Sequence, residues 1–117
     1  MALNHPSRDR IRVEQVLAAL GHPTRLGAVR VLDGGGEFNC TSVLNTLGIQ
    51  AKSTMTHHWR VLREAGVIRQ TPSGREYLVE LRRADLDARY PGLLDAVLTG
   101  ARTDGPLPHP ASSATSG

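Results

Sequence analysis

Two helical segments joined by a glycine turn constrain most strongly how this chain of 117 residues folds. Residues 41–47 carry apolar side chains at helical spacing, and residues 52–65 carry a second set. The apolar positions of the longer segment are Met55, Trp59 (with His58 as the alternative) and Leu62. Between the segments, Gly48 permits a sharp turn and Ile49 fills the corner. This arrangement is typical of a helix-turn-helix.

A β-hairpin is predicted directly after the longer helix. Residues 67–71 form its first strand, and residues 76–81 alternate polar and apolar side chains in the second. The turn at 72–75 places Arg75 beside Gly74, at the tip of the hairpin. A hairpin in this position forms a wing, and an arginine at its tip is placed to reach a phosphate of a bound polyanion.

Helices flank this centre on both sides. Helical patterns cover residues 11–20, 23–32 and 85–99, the last interrupted by Pro91-Gly92. The fold class is therefore mainly α with a small β-hairpin, a winged helix-turn-helix of order α-α-α-α-β-β-α. We expect a flexible N-terminal arm at 1–8, one domain at 9–100 and a disordered Pro/Ser-rich tail at 101–117.

The positive charge of the chain is concentrated in its middle third. Residues 50–83 hold seven Lys/Arg against three Glu, a net charge of +4, whereas residues 1–49 have +1 and residues 84–117 have −2. Such a distribution suits a surface that binds a polyanion, although a solvated face would give the same count. Aromatic residues make up 3% of the chain, so the core is expected to be aliphatic and to gain stability from a partner subunit.

The sequence also predicts the compartment and excludes several classes of protein. Its single cysteine, Cys40, cannot form an internal disulfide framework and suits a reducing cytoplasm. No apolar run approaches the roughly 20 residues of a membrane span, and the first residues do not resemble a signal peptide. No nucleophile elbow, Walker loop or zinc-hydrolase motif occurs. We therefore expect a cytoplasmic protein without membrane partner or enzymatic activity.

Three stretches, taken in order, resemble the ArsR/SmtB (arsenic-repressor-like) family of winged-helix transcription regulators. They are LAALGHPTRLGAVRVL at 17–32, STMTHHWRVLREAGVI at 53–68 and PSGREYLVEL at 72–81. Trp59 departs from the leucine that usually follows the histidine in that family. The resemblance implies a homodimer, packed mainly through its first and last helices, that binds double-stranded DNA through the second helix of the helix-turn-helix.

The expected DNA-binding residues lie on the outward side of that helix and at the wing tip. Side chains early in a recognition helix meet base edges and phosphates in the major groove. The family motif supports Ser53, Thr56 and His58 in particular. The full predicted set is Lys52, Ser53, Thr54, Thr56, His57, His58, Arg60 and Arg75.

A metal site is a further hypothesis, because some members of this family sense metals. Their thiolate site needs two cysteines flanking one residue, whereas here Asn39 and Thr41 flank Cys40. Their other site combines carboxylates and histidines on the last helix, which here contains no histidine. Imidazole and carboxylate suit nickel or zinc. The residues that could combine, across a dimer, are His5, Asp85, Asp87 and His109. The alternative is that the two histidines are ordinary residues near the termini.

Three functions are consistent with these observations. The first is a homodimeric regulator on an inverted-repeat operator, with two recognition helices about 34 Å apart. The second is a metal-responsive form of the same regulator. The third is a winged-helix protein–protein interaction module without DNA binding, which the basic middle third disfavours. A co-regulator protein is a further partner compatible with the first two.

Overall fold

The computed structural model describes residues 3–107. Within them, a short 3-10 helix at Arg8–Arg10 precedes six α-helices and three strands. In chain order these are α1 (Val13–Leu20), α2 (Pro23–Leu32), β1 (Phe38–Asn39), α3 (Cys40–Leu47), α4 (Lys52–Glu64), β2 (Ile68–Ser73), β3 (Glu76–Leu81), α5 (Arg83–Arg89) and α6 (Leu93–Asp104). This order confirms the predicted winged helix-turn-helix and adds a third strand and a divided last helix. Among residues 3–107, no helix is both long and apolar enough to cross a membrane.

An aliphatic core holds the helices and the sheet together. Val16 of α1, Val29 of α2 and Leu62 of α4 are fully buried in it, and Val79 of β3 joins them from the sheet. Each such side chain stabilises the fold by about 1.5–3 kcal/mol relative to exposure in water. Trp59 is 7% exposed and packs into the same core, so the larger ring at this position is accommodated.

The helix-turn-helix consists of α3, a turn at residues 48–51, and α4. The Asn39 side chain caps α3 by accepting a hydrogen bond from the N–H of Thr41 at 2.7 Å. Gly48 ends α3 with a φ of 75°, in the left-handed region that strains other residues. Ile49 then packs against the core, which confirms its predicted place in the corner between the helices.

The wing belongs to a three-stranded antiparallel sheet of order β1-β3-β2. β2 and β3 pair from Ile68 with Leu81 to Ser73 with Glu76, which leaves a loop of two residues, Gly74 and Arg75. Of the four residues predicted as the turn, Pro72 and Ser73 therefore belong to β2, and Gly74 and Arg75 form the loop. β1 was not predicted, because a strand of two residues is too short to show an alternating pattern; it places Phe38 beside β3.

The last helix of the predicted order is divided in two. α5 ends before Pro91-Gly92 and α6 begins after them, because proline cannot continue the backbone hydrogen bonding of α5. α6 then runs four residues past the domain boundary predicted at residue 100. Arg30 of α2 donates to a backbone carbonyl just beyond α6 at 2.9 Å, and Leu107 packs against the core. Residues 108–117 of the predicted tail lie outside the described residues.

The N-terminal segment, predicted as a flexible arm, makes specific contacts in its described part. Nε2 of His5 accepts a hydrogen bond from the backbone N–H of Gln70 in β2 at 3.0 Å. Arg82, which is 7% exposed, donates to the carbonyl of Pro6 at 2.8 Å. The arm therefore lies along the free edge of β2 and supplies an acceptor for a backbone donor of that edge.

Candidate nucleic-acid interface

α4 has a buried face and an exposed face, as its apolar spacing predicted. Met55, Trp59 and Leu62 form the buried face, with exposures of 0%, 7% and 0%. His58 is half-buried at the boundary between the faces. The remaining predicted DNA-binding residues of α4 are all exposed: Lys52, Ser53, Thr54, Thr56, His57 and Arg60. Their exposure agrees with the predicted interface, whereas their contact with DNA remains a prediction.

The most outward part of α4 is a stripe of hydrogen-bond donors. Ser53, His57 and Arg60 follow each other at spacings of four and three residues, which places them along one line of the helix. Nη2 of Arg60 lies 3.1 Å from Nδ1 of His57, and a guanidinium only donates, so the neutral ring of His57 carries its proton on Nε2. Glu64, a turn further on, is exposed and ends the stripe with an acceptor. The stripe presents a hydroxyl, an imidazole N–H and a guanidinium.

The side of α4 that faces the wing forms a groove. Lys52 and Thr56 line it from the helix, and Arg75 and Tyr77 line it from the hairpin, around a volume of about 180 Å³. The hydroxyl of Thr56 donates to the carbonyl of Lys52 at 3.3 Å, which holds it against the helix. Two cations, Lys52 and Arg75, therefore lie on opposite walls of one groove.

The wing tip carries an arginine without an internal partner. Gly74 adopts a φ of 63°, which permits the two-residue loop. Arg75 is exposed, and no hydrogen bond or ion pair within residues 3–107 engages its guanidinium. The base of the loop is tied to α3, because the hydroxyl of Thr41 donates to the carboxylate of Glu76 at 3.2 Å. The loop thus presents Arg75 to solvent beside the N-terminus of α4.

His58 lies on the opposite side of α4, against α2. Nη1 of Arg25 is 3.1 Å from Nδ1 of His58, and the ring of His22 packs at a centroid distance of 4.5 Å. Burial lowers the pKa of His58, and the nearby His22, Arg25 and His57 lower it further. Arg25 and His22 were absent from the predicted site, because no local pattern shows that the start of α2 meets α4.

Two of the middle-third arginines are engaged within the protein. By their place in the basic middle third, Arg69 and Arg82 could either flank a DNA backbone or be solvated charges. Arg82 instead lies buried and donates to Asp85 at 2.8 Å, so its placement at a DNA surface is wrong. Arg69 is exposed, 3.8 Å from the same carboxylate. Burial alone would raise the pKa of Asp85, but hydrogen bonds from Arg8 and Arg82 outweigh it and hold that pKa below its ordinary value.

Three residues of the metal hypothesis, His5, Asp85 and Asp87, make other contacts. Nδ1 of His5 lies 3.1 Å from the carbonyl of Leu3, and its Nε2 accepts from β2. Asp85 is paired with arginines, and Asp87 lies 3.7 Å from Nη1 of Arg83. His109 lies outside the described residues. Across residues 3–107, no three His, Cys, Asp or Glu side chains are grouped as a metal site.

Cys40 is half-buried and does not have the environment of a thiolate ligand. Burial raises the pKa of its thiol, which a weak hydrogen bond from Gln70 at 3.9 Å only partly offsets. The thiol form is therefore favoured at neutral pH, as for a small packing residue.

These features define a winged helix-turn-helix of the DNA-binding class, with a donor-rich α4 and a cationic wing tip. A family described as "Helix-turn-helix domain" matches residues 20–71. The chain is 34% identical over 92 residues to the "Uncharacterized HTH-type transcriptional regulator YceK" of Bacillus subtilis (strain 168), covering 78% of this chain and 90% of that relative. The chain belongs to the family of helix-turn-helix transcriptional regulators.

Solved structures share the fold of this chain. The transcriptional repressor BigR from Xylella fastidiosa matches with a TM-score of 0.60 and 29% identity, over 74% of this chain and 83% of that one. An ArsR family transcriptional regulator matches with a TM-score of 0.59 and 20% identity, over 78% of this chain and 92% of that one, which bears on the fold alone. The winged-helix fold is ArsR-like, which confirms the resemblance drawn from the three sequence stretches.

Proposed function

We propose that this transcriptional regulator binds double-stranded DNA as a homodimer on an inverted-repeat operator. The single observation that carries the proposal is the division of α4: its apolar side chains hold the core, while Lys52, Ser53, His57 and Arg60 stand in solvent. A helix of this width fits the major groove of B-DNA, where such donors meet guanine O6 and N7 or phosphate oxygens.

The roles of the side chains follow from their places on the surface. Arg60, on the outward stripe, is the best candidate to read a guanine, because its fork of donors matches two acceptors on that base. Ser53 and Thr54 are short and stand at the start of α4, so they let the backbone approach closely. Arg75, on the wing, reaches the phosphates that flank the groove, and Lys52 holds the backbone nearer to α4.

Support for a dimer comes from an apolar strip on α1. Val13 is 39% exposed and Leu17 is 49% exposed, four residues apart on the same side of the helix. Val16 and Leu20, on the adjoining side of the helix, are buried in the core, whereas Val13 and Leu17 stay exposed, so the strip is left uncovered in one chain. We infer that a second copy covers this strip around a two-fold axis. Binding to two half-sites one turn of DNA apart then requires the two α4 helices to lie about 34 Å apart.

The test is a fluorescence-anisotropy titration against the DNA upstream of the protein's own gene, with a shuffled duplex of equal length as control. We expect selective binding that weakens as salt rises, because phosphate contacts release counterions. Footprinting then shows whether the protected sequence is an inverted repeat. Equal affinity for the native and shuffled duplexes at both of two salt concentrations would contradict the proposal. Arg10→Ala serves as a charge control, since Arg10 is exposed on the 3-10 helix, outside α4 and the wing.

A further inference from the structure

The guanidinium of Arg25 joins two helices that are distant in sequence. Its Nε donates to the carbonyl of Ala19 at 2.8 Å, and its Nη2 donates to the carbonyl of Ala18 at 3.3 Å, both near the end of α1. Its Nη1 meets Nδ1 of His58 in α4 at 3.1 Å. One planar group therefore connects the end of α1 to the margin of the exposed face of α4.

This contact determines where the proton of His58 resides. An arginine only donates hydrogen bonds, so Nδ1 of His58 must accept, and the ring is neutral with its proton on Nε2. Within residues 3–107, no hydrogen bond engages that Nε2. The ring is also supported from one side by His22, whose own Nδ1 accepts from the N–H of Thr24 at 3.1 Å. Both imidazoles are thus fixed by contacts made through Nδ1.

The groups that face His58 favour the same protonation state. α2 contributes Arg25 and His22, and α4 contributes His57 at a ring-centroid distance of 5.7 Å, with Arg60 beyond it. The cation beside the ring disfavours a second positive charge there, and partial burial acts in the same direction. Glu64, also on α4, is exposed at the other end of the donor stripe.

We propose that Arg25 is a positioning residue that holds His58 as a neutral Nε2–H donor, which hydrogen-bonds a DNA phosphate at the edge of α4. A phosphate is the expected partner because His58 lies at the margin of the exposed face of α4 and not on the outward stripe. At that margin the helix meets the sugar-phosphate backbone that borders the major groove of DNA. The proposal rests on the proposed DNA binding of α4. It adds a residue of α2 to the determinants of affinity and couples the end of α1 to the DNA surface.

The first test needs no DNA. Long-range ¹H–¹⁵N NMR spectra of the imidazoles, with His58 assigned from a His58→Gln sample, report the tautomer and the pKa of each ring. We expect the Nε2–H form for His58 and a titration below the ordinary histidine value of about 6.5. In Arg25→Gln the His58 pKa should rise, because the cation beside the ring is removed. A proton on Nδ1 of His58 in the wild type would overturn the proposal.

The second test is a double-variant cycle on operator affinity. Arg25→Gln and His58→Ala should each weaken binding about 5-fold, on specific and shuffled DNA alike, and the double variant should weaken it no further. Thermal unfolding of each variant checks that the fold persists, and Arg25→Lys tests whether a cation without the planar fork suffices. Fully multiplied losses in the double variant would overturn the coupling. If wild-type protein binds no DNA, the proposed function and the phosphate contact both fail, while the NMR result still decides whether Arg25 sets the tautomer.

Discussion

At the scale of single residues, Arg60 is the side chain whose removal should discriminate base reading from phosphate binding. It is exposed, and its only side-chain hydrogen bond among the described residues is to His57, so Arg60→Ala should leave the free energy of unfolding within about 0.5 kcal/mol of wild type. If Arg60 reads a guanine, operator affinity should fall by about 1–3 kcal/mol, and selectivity at one base pair should relax. Anisotropy titrations over single-base operator variants measure both effects.

The comparison variant for Arg60→Ala is Arg10→Ala, which removes an exposed arginine from the 3-10 helix. A uniform loss over all sequences would assign Arg60 to a phosphate instead of a base. Unchanged affinity for every operator variant would remove Arg60 from the interface altogether.

The exposure of each residue on α4 could be predicted from the sequence, whereas the contacts that these residues make with other helices could not. The spacing of Met55, Trp59 and Leu62 fixes which side of α4 is buried, and the exposed set follows from it. The contact between Arg25 and His58 spans 33 residues and depends on how α2 packs on α4. The burial of Arg82 is hidden for the same reason, since a charged residue after a strand reads as solvated until its partner is known.

At the scale of elements, Asp85 of α5 binds two arginines from other parts of the chain: Arg8 in the 3-10 helix and Arg82, which directly follows β3. It accepts from Arg8 at 2.7 Å and from the buried Arg82 at 2.8 Å. Asp85→Asn leaves Arg82 without its counter-charge, so we expect a loss of about 2 kcal/mol in the free energy of unfolding at pH 7, less than for a fully buried pair because Asp85 retains some exposure. Asp95→Asn, whose carboxylate is 68% exposed, should cost under about 1 kcal/mol.

The pH dependence of this stabilisation has a definite sign. The pKa of Asp85 is lower in the folded state than its ordinary value of 3.8. The stabilisation is therefore fully present above that ordinary value and is lost as the pH falls through the lower folded-state pKa. Urea unfolding at pH 7 and near pH 3 should show the gap between wild type and Asp85→Asn narrowing in acid. A gap that stays constant, or one already absent at pH 7, would contradict this assignment.

The wing is an element whose contribution to binding should be independent of sequence. Arg75 stands at its tip, and a phosphate contact there releases about one counterion. Arg75→Ala should lower affinity by a similar factor on specific and shuffled DNA and make the slope of log K against log salt shallower by about 0.9. Titrations at four salt concentrations measure the slope. A loss confined to one operator sequence would assign Arg75 to base reading.

Elements could be predicted where their length exceeds the period of their pattern. α4 and β3 repeat their spacing often enough to be recognised, and their predicted bounds lie within one residue of the observed ones. β1 has two residues and forms only because β3 offers it a free edge. The end of α6 depends on Leu107 and Arg30 holding the residues that follow it, and these contacts leave no mark in the local sequence.

At the scale of the whole molecule, the seven cations of residues 50–83 do not all lie on one surface. Arg82 and Arg83 serve ion pairs with Asp85 and Asp33, and Arg63 donates to the buried Gln70. Four exposed cations remain from the segment. Arg69 lies 3.8 Å from Asp85, whereas Lys52, Arg60 and Arg75 face the groove between α4 and the wing or belong to the outward stripe. In the folded protein, some cations of this basic segment therefore form internal ion pairs and hydrogen bonds, and the others are exposed at the surface.

The assembly of two chains supplies the last prediction. Leu17 is the most exposed large apolar side chain of the described residues, and with Val13 it forms a strip on α1 that one chain leaves uncovered. Leu17→Glu would place a charge in the interface of the proposed dimer, so we expect sedimentation velocity to show a shift from dimer to monomer. Because each monomer carries one α4, affinity for the inverted repeat should fall at least 10-fold, while affinity for a single half-site changes little. Gln15→Glu adds the same charge to the same helix, away from the strip, and should do neither. A Leu17→Glu protein that stays dimeric would show that the two copies meet on another face, and a wild-type monomer that binds the full operator tightly would show that dimerisation is not needed for recognition.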